Sequence, residues 1–184
     1  MAPKLFHQKT RDTKYNARYV QSFIINLPAE KVNLYKWVTG MTDSDYAMYS
    51  PAHKAMGSFF KNDTFYMINV ENIGLETVIQ RYELNYHSPN HVQFYSAKSI
   101  AYMMRWFPVT VGVPWELYVQ PVTANSCRLI CLIGVDFPNL FLKIGGWLSS
   151  FGGMFLTKHL KKEGKAFARD IETKFKRSLM SKII

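Results

Sequence analysis

Apolar and polar positions alternate most clearly over residues 76–87: Val78, Tyr82, Leu84 and Tyr86 fall on one side, and Thr77, Arg81, Glu83, Asn85 and His87 on the other. A period of two predicts a half-buried β-strand. Ser88-Pro89-Asn90 supplies turn chemistry, and 91–100 reads as the hairpin partner. Residues 115–122 and 127–137 repeat this arrangement about the polar turn 123–126. Short turns between consecutive strands make antiparallel neighbours, so 58–137 is expected to be a meander. Within it, 101–114 carries Pro108 and Pro114, which interrupt a strand reading because proline donates nothing to a ladder.

Upstream, 19–26 reads as a strand. Pro28 and Glu30 then open a short helix with Val32, Leu34, Tyr35 and Val38 as an approximate apolar face ending near Gly40. Residues 41–57 are expected to form one or two helical turns, with Asp43 or Ser44 and Ser50 as caps. Downstream, 139–179 has a helical pattern whose apolar stripe changes side. Ile144, Trp147, Leu148, Phe151 and Phe155 cluster about half a turn away from Leu160, Phe167, Ile171 and Phe175. A straight helix cannot carry such a jump, which predicts a break near Gly152-Gly153 and a helix from about 154 to 178. Leu156, Leu160, Phe167 and Ile171 would face the body. One antiparallel sheet and one long amphipathic terminal helix make an α+β arrangement, with the sheet curled around the helix.

Three segments in this order resemble the START-like (SRPBCC) superfamily, which includes the birch-pollen allergen fold, lipid-transfer START domains and polyketide cyclases. They are the strand and short helix of YVQSFIINLPAEKV, the meander across 64–137, and the terminal HLKKEGKAFARDIETKF at 159–175. The resemblance spans about 19–178 and rests on the order of the pieces, none of which is a catalytic signature. It implies a helix-grip fold, a curved antiparallel sheet of six or seven strands around a long C-terminal helix. It also implies a hydrophobic cavity for a lipid or polycyclic ligand. Kinship of this kind fixes the container more firmly than the chemistry.

The 184 residues suit a basic N-terminal lead, 1–18, followed by a single domain, 19–184. With 48% hydrophobic and 20% charged residues, disorder and coiled coil are excluded. The net charge of +10 belongs to the ends, since 19–157 carries nine basic and nine acidic residues. No basic residues are set among aromatics as a nucleic-acid reading face would need, so no nucleic-acid partner is expected. Basic ends suit either solubility or an anionic membrane surface. Cys127 and Cys131, on one face of a strand roughly 13 Å apart, are too distant to bridge. Unbridged thiols, no signal-like start and no uninterrupted apolar span point to a cytoplasmic protein, with peripheral membrane contact as an option. The longest apolar stretch, 138–157, is broken by Lys143, four glycines and two serines.

Candidate chemistry is sparse. His87 and His91 flank a turn without a third ligand nearby in sequence, so neither a metal nor a cofactor is expected. His159, four residues before Glu163, reads as a helix-surface residue. His53 is a candidate hydrogen-bonder or base at a cavity mouth, and Arg105 lies among apolar neighbours where burial would demand Glu116 or a ligand carboxylate. No nucleophile elbow, P-loop or dinucleotide fingerprint occurs. The strongest hint is aromatic content: 13 Phe, 11 Tyr and 4 Trp. Tyr and Trp bring polar tips that a wet or ligand-filled space satisfies. The expectation is an internal pocket of roughly 300–1,000 Å³. Its lining would be Trp37, Tyr66, Tyr82, Phe94, Trp115, Tyr118, Trp147 and Phe151, with His53 or Arg105 at a mouth or polar end. The function expected is binding or transfer of a hydrophobic small molecule: a lipid, sterol or polycyclic compound. The alternatives are a polyketide cyclase or dehydratase, needing two converging titratable groups, and a membrane-peripheral quinone or lipid carrier.

Overall fold

Period-two alternation carries the chain through most of its length. The computed structural model describes residues 16–149 and 153–181. In chain order the elements are β1 (Asn16–Ile25), a 3-10 turn (Ala29–Lys31), α1 (Leu34–Thr39), α2 (Asp43–Tyr49), β2 (His53–Lys61), β3 (Thr64–Ile73), β4 (Glu76–Ser88), β5 (His91–Met103), β6 (Phe107–Thr123), β7 (Ser126–Asp136), α3 (Leu140–Ser149) and α4 (Met154–Met180). The strands form one sheet in the order β1-β7-β6-β5-β4-β3-β2, antiparallel throughout. Strands β2 to β7 are a meander, and β1 returns to pair with β7 from Asn16↔Asp136 to Ile25↔Cys127. Helix α4 packs across β1, β7 and β3, burying Leu160, Phe167 and Ile171. This is the α+β helix-grip arrangement.

Four local expectations need correction. Residues 53–57 are strand, not helix: β2 pairs with β3 across the Asn62-Asp63 turn, where both residues adopt positive φ. Asn and Asp tolerate that conformation, and it suits a tight hairpin. Helix α2 is capped by Thr42 in a capping box with Asp45; the Asp43 carboxylate is instead taken by the Met56 amide at 2.7 Å. Strand β6 runs through both prolines. Pro108 lies beyond the reach of β7, whose pairing begins at Gly112, and Pro114 sits where the β6–β7 ladder is interrupted between Gly112 and Trp115. His159 is buried, not on the surface.

The change of side in the C-terminal stripe is a real break. Helix α3 ends at Ser149, and Gly153 caps α4 with φ +82°, where a Cβ would run into the Tyr19 ring. Residues 150–152, including Phe151, lie outside the described residues. Among the described residues, no helix is long and apolar enough to cross a membrane.

Candidate functional site

The concave side of the sheet divides into a solid half and an open half. In the solid half, Phe94 stacks on Trp115 with centroids 5.2 Å apart, Tyr82 leans on both, and Phe167 of α4 meets Trp37 edge-on at 5.0 Å. Two polar tips are satisfied within the protein: the Trp37 indole and the Tyr49 hydroxyl both donate to Asp170 Oδ2 at 2.7 Å. Trp37, Tyr82, Phe94, Trp115 and Phe167 are all buried. They form a close-packed core.

The open half lies between β4–β7, α3 and the start of α4. Successive inward positions of β6 there are Val109, Val111 and Val113, with Ala101 and Met103 beside them on β5. Small and β-branched side chains stop short of the helices and leave a cavity of about 110 Å³. Its polar lining comes from Glu76, Gln80 and Lys143 together with the phenol of Tyr19, whose ionisation is pushed up by burial and by Glu76. The volume is below the usual range for a whole ligand and compares with the roughly 150 Å³ space that accepts benzene.

The elements that border this cavity carry apolar side chains on their outer side. Trp147 of α3 lines the cavity while remaining 58% exposed, and Phe141 on the same helix is 83% exposed. Where β5 turns into β6, Met104 and Arg105 both adopt positive φ, which costs each non-glycine residue about 1–2 kcal/mol. That strained turn presents Trp106, 82% exposed, and Phe107 to solvent. The lining residue Met103 immediately precedes the turn and lies against Gly145 of α3.

The structure does not gather the expected lining around one space. Trp147 borders the cavity; Trp37, Tyr82, Phe94 and Trp115 belong to the packed core. Tyr66 stacks on Phe59, away from the inward-facing Phe65 and Met67 of the same strand, with centroids 5.3 Å apart. Tyr118 meets His91 edge-on beside Glu116, which lies 2.6 Å from His91 Nε2. Arg105 is exposed in its turn, and Phe151 is outside the described residues. Alternation distinguishes inward from outward positions, but not the full end of a grip from the empty one.

His53 has a different setting. It faces Glu71 across the β2–β3 ladder, at a register shift between His53 and Ala55. Both approach His159 and Glu163, which are one helical turn apart on the buried face of α4. Four donor atoms, one from each residue, lie within 4.8 Å of one another, and all four residues are buried. Glu163 Oε1 is 3.3 Å from His53 Nε2, while His159 Nε2 is 3.5 Å from Glu71 Oε2 and 3.6 Å from Glu163 Oε2. Burial alone would lower both histidines, but the charges of Glu163 and Glu71 outweigh it: His53 is raised and His159 reaches about 9. Glu71, which burial would raise, is held well below the usual carboxylate range by the two histidines and the Tyr46 hydroxyl. Only the His159/Glu163 spacing was visible in the sequence; its partners arrive through the β2–β3 pairing.

The assembled fold is that of the START-like superfamily. A crystal structure of a Thermus thermophilus protein matches with TM-score 0.63 and 11% identity, over 84% of this chain and 97% of that one. A START superfamily protein from Mycobacterium smegmatis matches with TM-score 0.55 and 12% identity, over 85% and 97%. The Zhui aromatase/cyclase from Streptomyces sp. R1128 matches with TM-score 0.55 and 10% identity, over 89% and 96%. At such identities the likeness is one of fold. No protein-family model and no curated protein sequence matches the chain.

Proposed function

We propose that the domain binds a hydrophobic small molecule (a lipid, sterol or polycyclic compound) and exchanges it at an anionic membrane surface. The observation that carries this reading is the pairing of an apolar cavity with exposed aromatic residues on the two elements that border it, α3 and the β5–β6 turn. A cavity of about 110 Å³ holds one end of such a ligand, and the rest would lie along Trp147 and the adjoining apolar surface. Trp and Phe side chains at a membrane interface place their rings among the headgroups and upper acyl chains. Helix α3, with Phe141, Ile144, Trp147 and Leu148 half or more exposed, suits lying in that plane. The chain's net charge of +10 supplies long-range attraction to anionic lipid. The fold neighbours, among them a START protein and an aromatase/cyclase, support the container side of the reading.

The test is co-sedimentation with vesicles and native mass spectrometry of gently purified protein. Phosphatidylserine vesicles should retain the protein more than phosphatidylcholine vesicles, with retention falling as salt rises. The double substitution Trp106→Ser and Phe141→Ser should reduce retention and leave the circular dichroism unchanged. Equal partition into both vesicle types would remove the membrane part of the proposal. Failure of any sterol, fatty acid or polycycle to bind or co-purify would remove the ligand part.

A further inference from the structure

We infer that His53, Glu71, His159 and Glu163 together bind one divalent metal ion of the zinc class inside the domain. This inference does not depend on the ligand-binding reading. Zinc bonds to nitrogen and oxygen of roughly 2.0–2.2 Å set tetrahedral edges of about 3.3–3.6 Å between donor atoms. Three contacts link the cluster at 3.3, 3.5 and 3.6 Å, with Glu163 using one oxygen toward His53 and the other toward His159, and one donor atom from each of the four residues lies within 4.8 Å of the others. A charge-assisted hydrogen bond between the same groups would close to about 2.7–2.9 Å. The contacts are longer than that and close to tetrahedral edges, leaving room for an ion to draw the donors in.

The donors are also aimed there. His53 Nδ1 lies 2.7 Å from the Tyr46 carbonyl, which only accepts, so Nδ1 carries the hydrogen and Nε2 is directed into the cluster. His53 Nε2, His159 Nε2 and Glu163 Oε2 are buried without a hydrogen-bond partner. Buried polar atoms are rarely left so, and three in one cluster point to a single partner shared among them. The charge agrees. The ion pairs of Glu71 and Glu163 among the described residues are with His53 and His159 alone. A dication would replace the two protons that the carboxylates otherwise hold on His53 and His159, leaving two carboxylates and two neutral imidazoles balanced by one ion. The carboxylate–imidazole donor set, without thiolate, suits a first-row divalent ion.

Outer contacts hold the ligands in place. Tyr46 donates its hydroxyl to Glu71 Oε1, Gln80 Nε2 lies 3.4 Å from Glu71 Oε2, and Ser50 Oγ lies 3.5 Å from His159 Nδ1. Such partners fix ligand orientation in metal sites. The ligands come in pairs from a cross-strand position and from one turn of a helix, both rigid supports. Four protein ligands complete a tetrahedron, so the ion is structural, tying α4 to the β2–β3 edge. Gln80 also lines the apolar cavity, which places the ion one side chain away from the ligand space.

The experiment uses the full chain stripped with a chelator, then titrated with Co²⁺ and with Zn²⁺. Wild-type protein should retain one Zn²⁺ per chain through gel filtration, give the visible absorption of tetrahedral Co²⁺, and melt at a higher temperature with Zn²⁺ than without. Glu163→Gln and His159→Gln should each weaken binding by more than 100-fold. Tyr46→Phe, which removes an outer contact, should weaken it about 10-fold. The triple variant His7→Gln, His87→Gln, His91→Gln should bind like wild type. Absence of stoichiometric metal on the wild-type chain, or its loss from the triple variant, overturns the inference, and both readings stand even if a ligand variant fails to fold.

Discussion

Replacing Ala101 with Phe places a ring in the cavity without touching its mouth. Ala101 is buried on β5, lines the space, and faces Val109 and Val78 in the two neighbouring ladders. A cavity of about 110 Å³ offers room for about four methylene-sized groups, at roughly 30 Å³ each, the volume of a water molecule. A phenyl ring fills that room. Burying the ring contributes about 1.5–3 kcal/mol, and overpacking costs about 1–3 kcal/mol, so stability should stay within about 2 kcal/mol of wild type. For a chain of this size that is a midpoint shift under about 8 °C. A ligand excluded from the cavity loses about four buried methylenes, near 0.8 kcal/mol each, or more than 100-fold in affinity. Titration with an uncharged solvatochromic dye, alongside thermal unfolding followed by circular dichroism, reads both quantities. A folded Ala101→Phe protein that binds the dye within threefold of wild type would refute the assignment of the site to this cavity. Phe94→Leu, in the packed half, should do the reverse, lowering stability and sparing dye affinity.

Three further outcomes follow from the packing and electrostatics. Phe167→Ala should cost about 3–5 kcal/mol by denaturant titration, because the ring is buried against Trp37, Tyr49 and Trp115; a loss below 1 kcal/mol would contradict a close-packed core. Burial works to raise the Glu172 carboxyl, but Lys176 and both nitrogens of Asn26 hold it below its ordinary 4.5, so its stabilisation is present above pH 4.5 and lost as pH falls through the depressed value. Glu172→Gln should flatten the stability profile in that acid window, and an unchanged profile would show that the α4–β1 tie is worth nothing. Burial raises the Cys127 thiol to about 11 and the Cys131 thiol well above its ordinary value. At pH 8 the Cys127 thiolate is then about one part in 1,000, so native protein should react with iodoacetamide at least 100-fold slower than unfolded protein.

Much of the fold is legible in the residues themselves. Alternation in 76–87 and 127–137 and the turns at Ser88-Pro89-Asn90 and 123–126 place β4, β5, β6 and β7, because a strand's side chains report its two faces locally. The shift of the apolar stripe between Phe155 and Leu160 places the break before α4, because a helix keeps one phase along its length. Other features depend on partners distant in the chain. The first half of strand β2 is misread because residues 53–57 alternate weakly and gain their ladder only from β3. Pro114 is tolerated in a central strand because the ladder to β7 is interrupted at that point. The candidate sites are the least legible part. Whether an inward aromatic packs solid or lines a cavity depends on how closely α4 approaches the sheet at that point, and the helix closes on Trp115 but not on Val111. His159 and Glu163 carry a recognisable spacing, yet their meaning lies in His53 and Glu71, brought from about 90 to 110 positions earlier by the sheet. Periodicity is a property of one segment. A cavity or a ligand set belongs to surfaces that meet only after the chain has closed on itself.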